Sequence, residues 1–424
     1  MPLRGRSAQY ARSLCETCPF SPLSISIIAK EAPYDIPRSM DFSFATANTI
    51  HFGAGSARAL SRLLPPGTNR VFVATGSSPK RHQATLELLE KNGIDLETYS
   101  ICNEPTVDSL AEAIQAARNF EPQIIIGIGG GSVIDAGKAI AALIHNTGDL
   151  IEYLEVVGKG RPLDYPSLPY MAVPTTAGTG SEVTRNSVIG VPSAGVKVSL
   201  RSPFMLPHWA VVDPELTYDL PSEIAAYTGI DALTQNLEAF LSKKANPLSD
   251  AIAREGIKRA ARSLKATCGE TLDRDANSDM CVASLCGGIA LANANLGAVH
   301  GFAGPIGGMI DIPHGALCGS LLLPVCRANF DTATRRDPDG DLVRKFDEIA
   351  FLLTDNPTAK GTYAIAWLDA LIKDLPLKGL SQLGFTSDLT AEAADKARRS
   401  SSMKGNPVEL SQADLKEILQ DALI

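Results

Sequence analysis

Short apolar runs alternate with amphipathic segments in the first half of the chain. Arg70–Thr75 and Gln123–Ile128 are nearly continuous apolar runs, which is typical of strands buried on both faces. Asp108–Asn119 has the apolar spacing of an amphipathic helix, and Thr106 supplies an N-cap signal before it. The same reasoning predicts a strand at Leu96–Ile101 and helices at Ala84–Asn92 and Val133–Leu143. Strands that alternate with helices predict a parallel, doubly wound sheet.

Helical periodicity dominates the second half of the chain. The change follows the sequence Asp213-Pro214-Glu215, and helices are predicted at Ser222–Tyr227, Asp231–Ser242, Ser249–Lys265, Met280–Asn293 and Ser411–Gln420. We therefore predict an α/β N-terminal domain with a parallel, Rossmann-like sheet over residues 41–218 and an all-α C-terminal domain over residues 219–424.

Residues 1–40 differ in composition from the rest of the chain. They contain Arg4, Arg6 and Arg12 with several serines, and they lack a clean secretory h-region. A mitochondrial transit peptide, a mobile leader and a true start at Met40 all remain open. The expected location is cytoplasmic, with mitochondrial targeting as the alternative. Cys15 and Cys18 form a lone Cys-x-x-Cys pair, for which an incidental pair is favoured over redox or zinc chemistry.

Composition limits the partners of this protein. The net charge is −8, which argues against nucleic acid or an anionic membrane as partner. No apolar run approaches the roughly 20 residues of a membrane-spanning helix. The 8 cysteines are scattered, which favours a reducing compartment over a disulfide scaffold. A small molecule is the expected ligand.

A glycine-rich loop follows the predicted strand Gln123–Ile128. It runs Gly127-Ile-Gly-Gly-Gly-Ser-Val-Ile-Asp-Ala-Gly-Lys138 and opens a predicted helix, an arrangement that lets backbone N–H groups approach phosphate. It is no Walker A loop, because Ala139 stands where Ser or Thr is required. A second loop, Pro174–Thr184, is rich in hydroxyl groups and glycines and suits a nucleotide or ribose, or else caps its own backbone.

Two histidines lie in the apolar, glycine-rich segment Gly297–Gly315. His300 and His314 either close a buried hydrogen-bond network or hold a metal or substrate. Asp231 and Gln235 are one helical turn apart on one predicted helix, so they share a face. Together the four side chains offer two nitrogens and one or two oxygens, a set that suits Fe(II), Zn(II) or Mn(II).

In combination these motifs resemble the iron-containing (group III) alcohol dehydrogenase family, within the dehydroquinate-synthase-like superfamily. The resemblance runs from about Phe42 to the C-terminus. It rests on Phe52-Gly-Ala-Gly-Ser56, Gly129–Ser132 with Asp135 and Lys138, Pro174–Thr179, Asp213–Thr217, Gly229–Leu233, the two-histidine segment and Asn406-Pro407. It implies an N-terminal NAD(P)-binding domain, a helical metal-binding domain and a catalytic cleft between them.

The resemblance assigns roles to individual residues of this chain. It implies a pyrophosphate loop at Gly130, Gly131, Ser132 and Asp135, a nicotinamide-ribose loop at Thr175, Thr176 and Thr179, a ribose contact at Lys197, and metal ligands at Asp231, His300 and His314. The last three are also the expected catalytic residues, with Gln235 as a weaker fourth ligand.

The chain departs from the family pattern at three positions. Gln235 stands where the family has a histidine ligand, and Gly304 stands where many members have a histidine assigned to proton relay. Gly76 replaces the acid that favours NAD. Without that carboxylate, a 2′-phosphate could be bound at Gly76 and by Ser77, Ser78, Lys80 and Arg81, so NADP(H) is expected over NAD(H).

The expected activity is NAD(P)-dependent hydride transfer between an alcohol and its aldehyde or ketone, assisted by Fe(II) or Zn(II). The alternatives are a metal-free reductase like the maleylacetate reductases, a hydroxyacid–oxoacid transhydrogenase, a lyase that uses NAD internally, and a degenerate member that only binds nucleotide. A homodimer or larger homo-oligomer is expected.

Overall fold

The computed structural model describes residues 41–423. The predictions for the leader, including those for Cys15 and Cys18, lie outside the described residues. No single helix in the described part is long and apolar enough to cross a membrane. The bent pair of helices Arg274–Ala294 and Ala298–Met309 has the necessary length and apolar composition only when the two are taken together.

A six-stranded parallel sheet organises the N-terminal half. Its strands are β1 (Thr49–Phe52), β2 (Arg70–Thr75), β3 (Asp95–Ser100), β4 (Ile124–Gly129), β5 (Tyr170–Pro174) and β8 (Trp209–Val212). A separate antiparallel hairpin, β6 (Asn186–Val191) and β7 (Val196–Arg201), lies between β5 and β8 in the sequence. The sheet order is β1-β8-β5-β4-β2-β3, and every pair is parallel. The predicted parallel α/β sheet is confirmed.

Helices cover both faces of this sheet. They are α1 (Leu60–Leu63), α2 (Gln83–Lys91), α3 (Val107–Phe120), α4 (Gly131–Leu143) and α5 (Leu150–Tyr153). Along β2, Phe72 and Ala74 enter one apolar core while Val71 and Val73 enter the other. Burial on both faces explains the continuous apolar run of this strand. Thr106 caps α3 through the backbone N–H of Ser109, as predicted.

The C-terminal half is helical, as predicted. Its helices are α6 (Ser222–Leu241), α7 (Pro247–Thr267), α8 (Arg274–Ala294), α9 (Ala298–Met309), α10 (His314–Arg336), α11 (Asp341–Thr354), α12 (Gly361–Asp374), α13 (Thr390–Arg399) and α14 (Gln412–Asp421). Helix α14 begins at a capping box formed by Ser411 and Asp414.

One sequence prediction about the helices is wrong. Ser222–Tyr227 and Asp231–Ser242 were expected as separate helices, but they form the single helix α6. Gly229 lies inside it, where a Cβ would overlap Cδ1 of Leu264 on α7. The glycine therefore permits close helix packing and does not end the helix, and Asp231 is held in the middle of a rigid, buried element.

Candidate active site and metal centre

The glycine loop lies where β4 passes into α4. Gly130 is the N-cap residue and α4 begins at Gly131. A Cβ at Gly129 would lie 2.5 Å from Cγ2 of Val133, and a Cβ at Gly131 would lie 2.6 Å from Cγ2 of Thr179. The glycines are therefore required by packing. The first turn of α4, which includes Ser132, also leaves backbone N–H groups free for an anion.

The hydroxyl-rich loop after β5 packs against the glycine loop. Cγ2 of Thr176 lies 3.5 Å from the position of a Cβ on Gly130, and Thr179 touches Gly131 as described above. Thr175 continues the sheet with a backbone hydrogen bond to Gly129. The structure therefore brings together two segments that the sequence predicted separately as cofactor-binding.

The end of β2 lies beside the same site. A Cβ at Gly76 would be 4.0 Å from Cγ2 of Val133 in the first turn of α4. Ser77, Lys80 and Arg81 follow Gly76 and are exposed. The residues predicted to bind a 2′-phosphate therefore lie beside the predicted pyrophosphate loop, at the carboxyl edge of the sheet, where parallel sheets bind ligands.

Asp135 has a different placement from the one expected of a phosphate-binding residue. Its carboxylate accepts hydrogen bonds from Oγ of Ser181 and from the backbone N–H of Val188, and lies 3.1 Å from Nζ of Lys138. The buried Lys138 also donates to the backbone oxygen and Oγ of Ser181 and to Oγ1 of Thr184. These contacts of Asp135 hold the hydroxyl-rich loop against α4, and its predicted place in the pyrophosphate loop stays a prediction.

Lys197 lies on β7 of the hairpin, beside α9. Its Nζ pairs with the carboxylate of Glu104 at 2.5 Å, and it lies 3.3 Å from the position of a Cβ on Gly307. The side chain is 19% exposed. Lys197 is thus placed along the helix that carries His300, and its predicted contact with the cofactor ribose stays a prediction.

Asp231, His300 and His314 converge from three helices, α6, α9 and α10. Nε2 of His300 is 3.2 Å and Nε2 of His314 is 4.0 Å from Oδ1 of Asp231. Asp231 and His300 are buried, whereas the ring of His314 is 41% exposed. The structure therefore brings together the three predicted ligands, with His314 on the open side.

Two residues at this cluster were missed by the sequence analysis. Oε2 of Glu238 lies 2.7 Å from Nδ1 of His300, and Sγ of Cys318 lies 3.8 Å from Nε2 of His300 and 3.7 Å from Nε2 of His314. The signal for both was helical spacing. Glu238 is two turns after Asp231, and Cys318 is one turn after His314.

The electrostatics of the cluster favour positive charge between its donor atoms. Burial disfavours a charged imidazole, but Cys318, Asp231 and Glu238 outweigh it and hold the pKa of His300 well above its usual value. The pKa of His314 rises to about 9, because Cys318 and Asp231 again outweigh desolvation. Burial would raise the pKa of Asp231, but the two imidazoles keep it below the ordinary value.

The residues present fit a divalent ion. His300 donates the proton on Nδ1 to Glu238, which leaves Nε2 as an electron-pair donor facing the carboxylate of Asp231. Electron pairs that converge at such distances repel one another unless a proton or a cation lies between them. One carboxylate and two imidazoles suit Fe(II) or Zn(II), and a histidine held by a carboxylate is a common feature of metal sites.

Gln235 and Gly304 are two of the positions at which this chain departs from the family pattern. Gln235 is buried, and its Oε1 accepts no hydrogen bond in the described part of the chain and lies against Gly287 of α8. Its predicted role as a ligand stays a prediction. A Cβ at Gly304 would meet no described atom within 4 Å, so this position borders open space.

Comparison with known proteins identifies the family. The family described as iron-containing alcohol dehydrogenase matches residues 47–214, and the C-terminal family of Fe-containing alcohol dehydrogenases matches residues 225–423. The chain belongs to the iron-containing alcohol dehydrogenases. It is accordingly an NAD(P)-dependent oxidoreductase, as the sequence predicted.

Individual relatives span most of the chain. Alcohol dehydrogenase 4 of Schizosaccharomyces pombe is 33% identical over 379 residues, which are 88% of this chain and 87% of the relative. The 1,3-propanediol dehydrogenase of Klebsiella pneumoniae is 34% identical and covers 80% of this chain and 86% of its own length. A crystal structure of a 1,3-propanediol oxidoreductase superposes with a TM-score of 0.83 at 31% identity, and covers 90% of this chain and 100% of its own. This iron-containing alcohol dehydrogenase therefore shares both halves of the family fold.

Proposed function

We propose that this protein catalyses the NADP(H)-dependent interconversion of a primary alcohol and its aldehyde, assisted by Fe(II) or Zn(II). One observation carries the proposal. The hydroxyl-rich loop touches both the glycine loop and helix α6, because a Cβ at Gly178 would lie 2.6 Å from Cβ of Thr228. Thr228 is one turn before Asp231, so the segment proposed to hold the nicotinamide ribose adjoins the metal cluster.

Different segments of the chain bind the cofactor, orient it and hold the metal ion in the proposed reaction. The first turn of α4 binds the pyrophosphate, and the loop at Thr175–Thr179 orients the nicotinamide toward α6. Asp231, His300 and His314 would hold the ion, which when bound acts as a Lewis acid on the substrate oxygen. With these groups in place, the alcohol carbon would be positioned to give its hydride to C4 of a bound nicotinamide, and the hydroxyl proton would be released to solvent.

The end of β2 supports NADP(H) over NAD(H). An acid at position 76 would repel a 2′-phosphate, whereas glycine leaves the space open. Lys80 is exposed and forms no ion pair within residues 41–423, so its charge is available to a phosphate. The guanidinium of Arg81 donates to the backbone oxygen of Asp219 at 3.3 Å and stays at the same rim.

The relatives support the substrate class. Their names describe alcohol, 1,3-propanediol and 4-hydroxybutyrate dehydrogenases, all of which act on hydroxyl groups of small molecules. Gly304 lies one turn after His300 on α9, and a Cβ there would meet no described atom within 4 Å, which is compatible with the carbon chain of a substrate near the cluster. Assembly into a homodimer or larger oligomer stays a prediction that sedimentation would check.

Coenzyme specificity tests the proposal directly. We expect kcat/KM for NADPH to exceed that for NADH, with a panel of primary aldehydes as substrates. Gly76→Asp should reverse the preference, while the uncharged Gly76→Asn, of the same size, should leave NADPH favoured. Equal use of both coenzymes by the unmodified protein would refute the NADP(H) preference. Activity unaffected by chelation would refute the role of the metal.

A further inference from the structure

The side chain of Cys318 lies among the donor atoms of the cluster. Cys318 lies one turn after His314 on α10 and is fully buried. Its Sγ is within 4 Å of both imidazole Nε2 atoms, and one donor atom from each of Asp231, His300, His314 and Cys318 lies within 4.8 Å of the other three. The sulfur is therefore placed as a member of the same donor set.

The residue at the expected fourth ligand position is a neutral glutamine that lies against α8. The amide oxygen of Gln235 lies against Gly287, where a Cβ would be 2.9 Å away, and it accepts no hydrogen bond among the described residues. A neutral amide is also a poorer donor than imidazole or thiolate for Fe(II) or Zn(II). Asp231, His300 and His314 thus have only a weak candidate for a fourth donor on α6, whereas the thiol of Cys318 on α10 lies beside both imidazoles.

We propose that the Cys318 thiolate is the fourth ligand of this site, in place of the side chain at position 235, and that the site binds Zn(II) in preference to Fe(II). The inference rests on the metal role in the proposed function. On binding, the thiol gives up its proton to solvent and a sulfur–metal bond forms, with no change of oxidation state.

The spacing of the donors supports tetrahedral binding. Zinc–nitrogen and zinc–sulfur bonds of about 2.0 and 2.3 Å, at tetrahedral angles, place neighbouring donors about 3.3 to 3.6 Å apart. The separations here are 3.2 Å for Asp231 with His300, 3.8 Å for Cys318 with His300, 3.7 Å for Cys318 with His314 and 4.0 Å for Asp231 with His314. Shifts of a few tenths of an ångström would bring the first three pairs to ligand spacing, and His314 would move toward Asp231 by about half an ångström.

The chemistry of the donors supports zinc. A thiolate is a soft ligand that favours Zn(II), and Fe(II) already binds more weakly than Zn(II) to most sites. Two anionic ligands, Asp231 and Cys318, would neutralise the charge of the divalent ion inside the protein, which lowers the cost of burying it. The exposed side at His314 leaves an approach for the substrate as a further ligand.

The test uses the spectrum of the bound metal. Full-length protein is stripped with a chelator and reloaded with Co(II), whose bond to a thiolate gives a charge-transfer band in the near ultraviolet. We expect the band in the unmodified protein and its loss in Cys318→Ser. Cys326→Ser is the matched control, since Cys326 is also buried on α10 but lies outside the cluster, and it should keep the band.

Affinity and X-ray absorption give independent measurements. Zn(II) affinity should fall at least about tenfold in Cys318→Ser, since loss of a direct ligand should cost no less than loss of an outer-shell partner, and the preference for Zn(II) over Fe(II) should shrink. If that variant fails to fold, zinc-edge absorption of the unmodified protein still decides, because it should show one sulfur at about 2.3 Å. A bound metal without a sulfur ligand, or a protein that binds no metal, overturns the inference. Metal-dependent turnover without sulfur ligation leaves the proposed function intact.

Discussion

Glu238 holds both the ring and the backbone of His300. Its Oε2 lies 2.7 Å from Nδ1 of His300, while its Oε1 accepts the backbone N–H of Val299 at 2.7 Å. The carboxylate therefore caps the first turn of α9 and fixes the ring orientation that turns Nε2 toward Asp231. Glu238 is a positioning residue, because it orients His300 and would act on a bound metal only through that ring.

Replacement of Glu238 should weaken metal binding without removing a ligand. In Glu238→Gln the amide oxygen can still accept from Nδ1, but the negative charge that makes the imidazole a stronger donor is gone. We expect Zn(II) affinity to fall about 10-fold in Glu238→Gln and toward 100-fold in Glu238→Ala. Competition with a chromophoric chelator measures both. Equal affinities in all three proteins would exclude the positioning role.

Lys138 should contribute strongly to stability because it is buried with its partners. Replacement by methionine keeps most of the volume but removes the cation that pairs with Asp135 and the donor to the hydroxyls of Ser181 and Thr184. Removal of one partner from a buried ion pair costs about 3 to 5 kcal/mol. Urea unfolding of Lys138→Met should show this loss, with a raised KM for NADPH, since the network holds the hydroxyl-rich loop. An exposed control, Lys91→Met on α2, should change neither.

Glu182 should make the protein less stable as the pH rises toward neutrality. Burial raises the pKa of Glu182 from 4.5 to about 7, although Lys138 opposes the shift. Between these values the folded protein binds more protons than the unfolded chain, so the free energy of unfolding falls as pH increases and levels off above about 7. The full effect is about 3 kcal/mol.

Glu182→Gln should flatten this dependence. Urea unfolding between pH 5 and pH 8 (about the window of the shift) is the measurement. Glu112→Gln, at an exposed position on α3, is the control and should keep the slope of the unmodified protein. A slope that survives in Glu182→Gln would show that another group causes it.

Two helical glycines should respond oppositely to alanine. Gly304→Ala should stabilise the protein by about 0.5 to 1 kcal/mol, because a Cβ there meets nothing and alanine has less unfolded-state entropy to lose. Gly229→Ala should destabilise it by about 1 to 3 kcal/mol, because the methyl group would overlap Leu264 in a filled core. Thermal unfolding separates the two, and a loss of stability in Gly304→Ala would mean that the space is not open.

Features encoded within a few neighbouring residues were predicted from the sequence. The apolar run at Arg70–Thr75, the cap at Thr106 and the glycine turn after β4 depend on local backbone preferences and on the period of burial, so each is readable in a short window. The residue types alone made Asp231, His300 and His314 candidate metal ligands, but the family resemblance was needed to favour that interpretation, since no local pattern joins residues so far apart along the chain.

Tertiary packing alone decided the rest. Gly229 continues a helix only because α7 approaches so closely, and Asp135 ties loops together only because the hairpin β6–β7 folds back over α4. Glu238 and Cys318 belong to the site because α6, α9 and α10 cross with these faces inward. Distances of 3 to 4 Å between side chains on three helices arise from how those helices pack (an effect of the whole core). A sequence read one element at a time determines which residues share a helix face, but not what that face meets.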